Sequence, residues 1–459
     1  MMRTLGAVLL ALLLGPHAHA KDMASLYDEA TLADWQPRYQ EGILWNVENV
    51  IWPRLNADER QQLAGVNLCF PLRGHSRDPL EFYARLEAAV DACAAQSPPV
   101  VVLPIQSIKF FDDLSVAHAW LWRHGYGPDT ALEYASMLKY GEPEHFGGRY
   151  PAPLPALQIP DDALDDPVTG EQAQKLLKSA IVFLVLHELG HVLHGHPGYD
   201  AISAAKAQAN EGNADRFALT VMRRIGVAPF GMVFWFQTGA YLAPNRGDFA
   251  SGEAHAEWLR QTTHPVTDDR LRAIAAELRQ SPEDFALEFA DQESGRLAIL
   301  STADEIELVA EVMADPGIQQ LIARRGRLTE PSALAPRRIG ETLGATQITT
   351  GAAFDGVYDG EFDAGSSAIA IRTLLHRQGD QVSGQYSYGG GQGQLRGVVD
   401  GDTLLFGWQE GSATDRRQDE QARYASHDRS PSCNHLIHYF WSGSMSTPVA
   451  MRIPSRFPS

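Results

Sequence analysis

Ile181-Val182-Phe183-Leu184-Val185-Leu186-His187-Glu188-Leu189-Gly190-His191-Val192-Leu193-His194 is the stretch from which the rest of the chain is read. The apolar run at its start predicts a buried element, and the His-Glu-x-x-His pattern after it has a mechanical meaning if that element is a helix. Histidines four residues apart leave a helix on one face, so His187 and His191 can both reach one Zn²⁺ at about 2.0–2.1 Å. Glu188 lies about 100° round from His187 and can address a water at the metal without occupying a coordination position. That division of labour is the H-E-x-x-H signature of metal-dependent peptide hydrolysis, with Glu188 as general base. The bland alternative is an amphipathic helix whose histidines merely line a groove.

A second stretch weighs against that alternative. In Asn210-Glu211-Gly212-Asn213-Ala214-Asp215-Arg216-Phe217-Ala218, Glu211 and Asp215 share a helix face. Glu211 can supply the third ligand to a single zinc ion per chain and leave the fourth position open, while Asp215 can accept a hydrogen bond from a ligating imidazole and fix its tautomer. An elongated site would need Gly at 194 and His at 197; the chain has His194 and Pro197, which excludes that class. His194 and His196 therefore read as histidines at a helix end.

The chain has 459 residues, 44% of them hydrophobic, and a formal net charge of -19. This is a foldable composition, long enough for two or three domains that bury their own cores without metal staples, so a metal here is expected to be catalytic. The acid excess disfavours nucleic acid and anionic lipid as partners. At the amino terminus, Arg3, the apolar run 5–14 and Ala18-His19-Ala20 predict a signal peptide cleaved after Ala20, hence a periplasmic or secreted protein with no membrane span in its mature chain. In an oxidising compartment Cys69 and Cys93 are the expected disulfide, leaving Cys433 as the odd thiol.

Residues 26–170 read as mixed, with a helical stretch over 79–95, β-like runs at 66–70 and 100–103, and a Pro-rich surface loop over 150–160. Residues 172–323 are dominated by the helical period, with a stop at Pro197-Gly198 and starts near Ala204, Thr267 and Ser281. Val100 to Leu103 is the candidate edge strand for an extended substrate, and Pro104 fits an edge; a buried central strand reads almost as well. After a linker at 336–350, residues 351–459 hold 15 of the 40 glycines and read as short strands. Asp400-Gly401-Asp402 predicts a tight turn into a strand carrying Leu404, Phe406 and Trp408. Gly389-Gly390-Gly391-Gln392-Gly393 lacks the Lys-Ser/Thr of a phosphate loop and reads as a mobile turn. The expected fold is α+β: a predominantly helical zincin-like catalytic domain over 21–335 with a small edge sheet, then a small all-β domain, sandwich or barrel-like.

Taken together, His187-Glu188-Leu189-Gly190-His191, Glu211-Gly212-Asn213-Ala214-Asp215 and His264-Pro265 with Arg270 resemble the M48 family of gluzincin metallopeptidases, over about residues 172–278. The resemblance implies His187, His191 and Glu211 as zinc ligands, Glu188 as general base and Asp215 as support. It further implies that His264 stabilises the oxyanion or masks the metal, and that Arg270 anchors that element or faces the substrate. Structurally, Thr267 followed by Asp268 and Asp269 is also a plain helix start. The expected activity is zinc-dependent endoproteolysis of unfolded or misassembled protein in the cell envelope. The competing expectation is a periplasmic chaperone or assembly factor with a closed zinc site and a partner-binding β domain.

Overall fold

The computed structural model describes residues 26–74, 79–88, 91–126, 130–198, 202–262, 266–316, 319, 322–323, 354–363, 368–388, 391–400, 403–410 and 449–452. The expected signal peptide, His264, the expected 336–350 linker and Cys433 lie outside them. Helix α1 (Glu29–Asn46) runs through short turns into α2 (Ala57–Gln62), and then come β1 (Asn67–Cys69), β2 (Tyr83–Arg85), β3 (Val100–Val102), α3 (Ile105–Arg123), α4 (Thr130–Tyr140) and the one-turn α5 (Pro153–Ala156). A helical succession follows: α6 (Pro167–Leu193), α7 (Ala204–Ile225), α8 (Phe230–Leu242), α9 (Gly252–Gln261), α10 (Asp268–Gln280) and α11 (Gln292–Ala314). Strands β4 (Gly356–Asp363), β5 (Ala368–Gln378), β6 (Gln381–Tyr388), β7 (Gly391–Asp400), β8 (Thr403–Glu410) and β9 (Val449–Arg452) close the chain. The α+β class expected from sequence is the class observed.

Helix α6 is the axis of the first unit. Asp166 caps it by accepting from Val168 N and Thr169 N, Pro167 opens its first turn, and Gly195 at φ 58° turns the chain away after the His194 cap. The stop therefore falls before Pro197-Gly198, at a left-handed glycine. From Ser179 to His191 α6 is buried on all sides, because α3, α7 and α8 surround it, while its first turns expose Glu171, Gln174, Lys175 and Lys178. It is long and apolar enough to cross a membrane, yet 83% of its most apolar 18-residue window is buried inside this fold.

Close helix packing is bought with small residues at two points. At Gly190 an added Cβ would sit 3.0 Å from Ala214 Cα, so this glycine lets α7 approach α6 at the level of the histidines. At Gly231, the second residue of α8, an added Cβ would lie 1.8 Å from Leu176 O, and the Gly231 amide donates to Ser179 Oγ at 2.8 Å. Gly231→Ala must push α8 off α6, an overpacking cost of about 1–3 kcal/mol. Urea denaturation measures it, and a midpoint equal to wild type would contradict the close contact.

The small sheet has the order β1-β3-β2, with β3 parallel to β1 and antiparallel to β2. Val100 to Leu103 is thus the central strand and not the edge. Val100, Val101 and Val102 are completely buried, and a strand covered on both faces reads as an unbroken apolar run. Pro104 lies beyond the strand, at the N-cap of α3. The edge strands are β1 and β2, and β2 lies inside the 79–95 stretch whose period reads as helical. Tertiary contacts hold it extended: Arg85 Nη2 donates to Cys93 O at 3.0 Å, Arg85 pairs with Asp91, and the Cys69–Cys93 disulfide fastens this loop to the end of β1. The Pro-rich 150–160 segment is not a surface loop either, since Tyr150, Pro153, Leu157 and Ile159 are buried and Tyr150 and Leu157 belong to the main core.

In the C-terminal region β4 to β9 form one antiparallel meander in chain order. Among the described residues there is no second layer and no pairing of β9 with β4, so the expected sandwich or barrel is there a single sheet. Asp400 pairs with Thr403, as a hairpin turn between them requires; the side chains of Leu404, Phe406 and Trp408 lie outside the described residues. Of the glycine run, residues 391–393 belong to β7 and Gly389 and Gly390 lie outside. Among the described residues of this sheet, Thr373, Leu375, Val382, Tyr386 and Leu395 have buried side chains.

Candidate metal centre

His187 and His191 leave α6 on one face, and their Nε2 atoms lie 3.1 Å apart. Helix α7 buries Ala207, Asn210, Glu211, Ala214, Asp215 and Ala218 along its inward stripe, which brings Glu211 to the same point. Glu211 Oε2 is 3.4 Å from His187 Nε2 and Glu211 Oε1 is 3.4 Å from His191 Nε2. Each Glu211 oxygen thus faces one imidazole, and one ligand atom from each of the three residues lies within 4.8 Å of the other two, close enough to share one ion. All three residues are buried, and together they could hold a metal ion.

The surrounding side chains fix that triangle. His187 Nδ1 lies 2.9 Å from Asp215 Oδ1, which directs Nε2 toward the ligand cluster. Arg270, in the first turn of α10, grips Asp215 with a two-pronged contact, Nε to Oδ2 at 2.7 Å and Nη2 to Oδ1 at 2.9 Å, and its Nη1 lies 3.2 Å from Glu211 Oε2. It therefore acts as the anchor between two carboxylates and is a positioning residue; its guanidinium also lies over the Phe236 ring at 5.4 Å. Thr267 caps α10 by accepting from the Arg270 amide, so the expected helix start and the arginine's role coexist. His264 is outside the described residues.

Burial alone would pull the His187 imidazole down, but Asp215 and Glu211 outweigh it and push it up to about 10. For Asp215 burial works upward, and Arg270 and His187 overcome it to hold the carboxyl below its usual range. Glu188 is buried and pushed up to about 7 by that burial, with His187 opposing, and its carboxylate accepts from the backbone N–H of Ala84 on β2. It stands beside the three candidate ligands without belonging to their group.

Three functional contacts escape the sequence reading. His196 Nδ1 lies 2.9 Å from His191 Nδ1, making it the orienting partner of the second ligand; burial, with help from His194, keeps His196 down at about 4. Phe236 of α8 meets Phe183 edge-on, and Phe183 in turn lies tilted against the His187 ring, with centroids 5.9 Å apart. Ala84 supplies an amide to Glu188. No residue type or spacing announces these, apart from the left-handed Gly195 that turns His196 back toward α6.

Comparison with protein families matches residues 134–290 to the family described as Peptidase U49. That span contains His187, Glu188, His191, Glu211, Asp215, His264 and Arg270. The matched family is not M48, so what stands of the resemblance is a proteolytic function in general, with a metallopeptidase type only loosely supported. Comparison with curated proteins and with solved structures finds no match.

Proposed function

We propose that this protein is a zinc-dependent endopeptidase, exported to the cell envelope, that hydrolyses unfolded or misassembled proteins. The observation carrying this reading is the convergence of His187, His191 and Glu211 on one point, close enough to hold a single ion, with Glu188 beside them. The donor set favours zinc: two imidazoles and one carboxylate, with no cysteine among them, is the composition of a catalytic site that keeps a position open. When bound, the ion supplies Lewis acidity, lowering the pKa of a water and polarising the scissile carbonyl. Glu188 takes the proton of the attacking water and passes it to the leaving amine. Asp215 holds the His187 ring in place, Arg270 holds Asp215 and Glu211, and the buried aromatic backing of Phe183 and Phe236 keeps the ligands from shifting.

Substrate alignment falls to β2. Among the described residues this strand pairs with β3 alone, and its Ala84 amide meets Glu188, so an extended peptide aligned along its other side passes the general base. The test is metal removal. After exhaustive chelation, cleavage of an unfolded carboxymethylated protein should disappear, and one equivalent of zinc per chain should restore it. Full activity in verified metal-free protein would end this proposal.

A further inference from the structure

Helices α1 and α6 both pack against α3, and between them lies a cavity of about 310 Å³ that proteolysis does not use. That is within the size range of small-molecule pockets. Its walls include Trp35 and Ile43 from α1 and Leu177, Val182 and Val185 from α6. Arg38 and Lys178 also line it, and both are exposed to solvent.

From α3 the cavity receives Ile108 and Asp112. Two adjacent carboxyls are buried on this helix, and they are treated differently. Asp113 pairs with Lys109 and accepts from Tyr27 Oη at 2.7 Å. Asp112 accepts from Tyr39 Oη at 2.5 Å and, among the described residues, has no other hydrogen bond or ion pair. It is 6% exposed, and burial pushes its carboxyl up to about 6 against the opposing pull of Tyr39, Lys109 and Arg38. A buried carboxylate with one neutral donor is costly unless a cation joins it. The apolar walls exclude a hydrated inorganic ion as the natural complement and favour a cation carried on a hydrocarbon chain.

We propose that this cavity is a binding site for an aliphatic primary amine, with the ammonium on Asp112 and the carbon chain along the α1 and α6 walls. Arg38 and Lys178 on the lining leave room for one positive charge and not two, so the rest of the ligand is neutral or anionic. A fatty-acid anion is the wrong complement, because its hydrocarbon would lie against the Asp112 carboxyl while its carboxylate stayed outside. The site shares no residue with the candidate metal centre.

Isothermal titration near neutral pH with n-hexylamine and hexanoate, on wild type, Asp112→Asn and Val182→Phe, tests this. Hexylammonium should bind wild type, bind Asp112→Asn about ten- to a hundredfold more weakly for loss of one charge-assisted bond, and bind least to Val182→Phe, whose ring fills the cavity. Far-ultraviolet circular dichroism establishes that each variant is folded. Hexanoate binding as tightly as hexylammonium, undiminished hexylammonium binding by folded Asp112→Asn, or undiminished binding by folded Val182→Phe would each overturn the proposal.

Discussion

Glu188→Gln is expected to lower peptide hydrolysis by about 100- to 10,000-fold while the protein keeps one zinc per chain. The size follows from removing a general base from a buried site, where solvent base cannot substitute. Retention of the metal follows from geometry, since the ligand triangle is made by His187, His191 and Glu211, and Glu188 stands outside it. The amide of glutamine can still accept from Ala84 N–H through its carbonyl, so β2 should stay in place. Elemental analysis together with turnover of an unfolded substrate separates the outcomes. Loss of zinc in the variant would make Glu188 a ligand, and unchanged turnover would remove it from the chemistry.

Arg270→Met should cost about 3–5 kcal/mol of stability in metal-free protein and weaken zinc binding about 10- to 100-fold. Arg270 is 14% exposed and its partners Asp215 and Glu211 are 4% and 3% exposed, so methionine strands buried carboxylates whose desolvation has already occurred. The metal effect follows because Asp215 orients His187 only while Arg270 orients Asp215. Lysine at this position restores charge without the planar fork, so Arg270→Lys should fall between wild type and methionine. Urea melts of metal-free protein and competitive zinc titration give the two numbers. Wild-type values for both in Arg270→Met would show that the arginine is not an anchor.

The residues read directly from sequence were those whose geometry is local. A four-residue spacing on a helix converts one-dimensional order into a shared face, so His187 with His191 and Glu211 with Asp215 were visible before any fold was known. The Cys69–Cys93 bridge and the β7–β8 hairpin were legible for the same reason, being settled by neighbours in sequence. What resisted were partners chosen by packing. Arg270 was recognisable by its position, but its two-carboxylate grip depends on how α10 meets α7. Strand β2 is three residues long and is held by Arg85, Asp91 and the disulfide, so no alternation within it could outvote the helical period around it. The centre-for-edge exchange of β3 has the same origin, because an apolar triplet reports its burial and not its neighbours.

The all-round burial of α6 from Ser179 to His191 also has a consequence outside the native state. Residues 180–186, Ala-Ile-Val-Phe-Leu-Val-Leu, are uncharged, rich in β-branched and aromatic side chains, and free of proline and glycine. Once released from the helix such a segment is suited to stack with copies of itself as cross-β structure. Lys178 on one side and His187-Glu188 on the other then act as gatekeepers, hindering the ordered stacking of unfolded chains. The residues assigned to chemistry thus border the part of the sequence most prone to aggregate, and heat unfolding of this protein should be difficult to reverse.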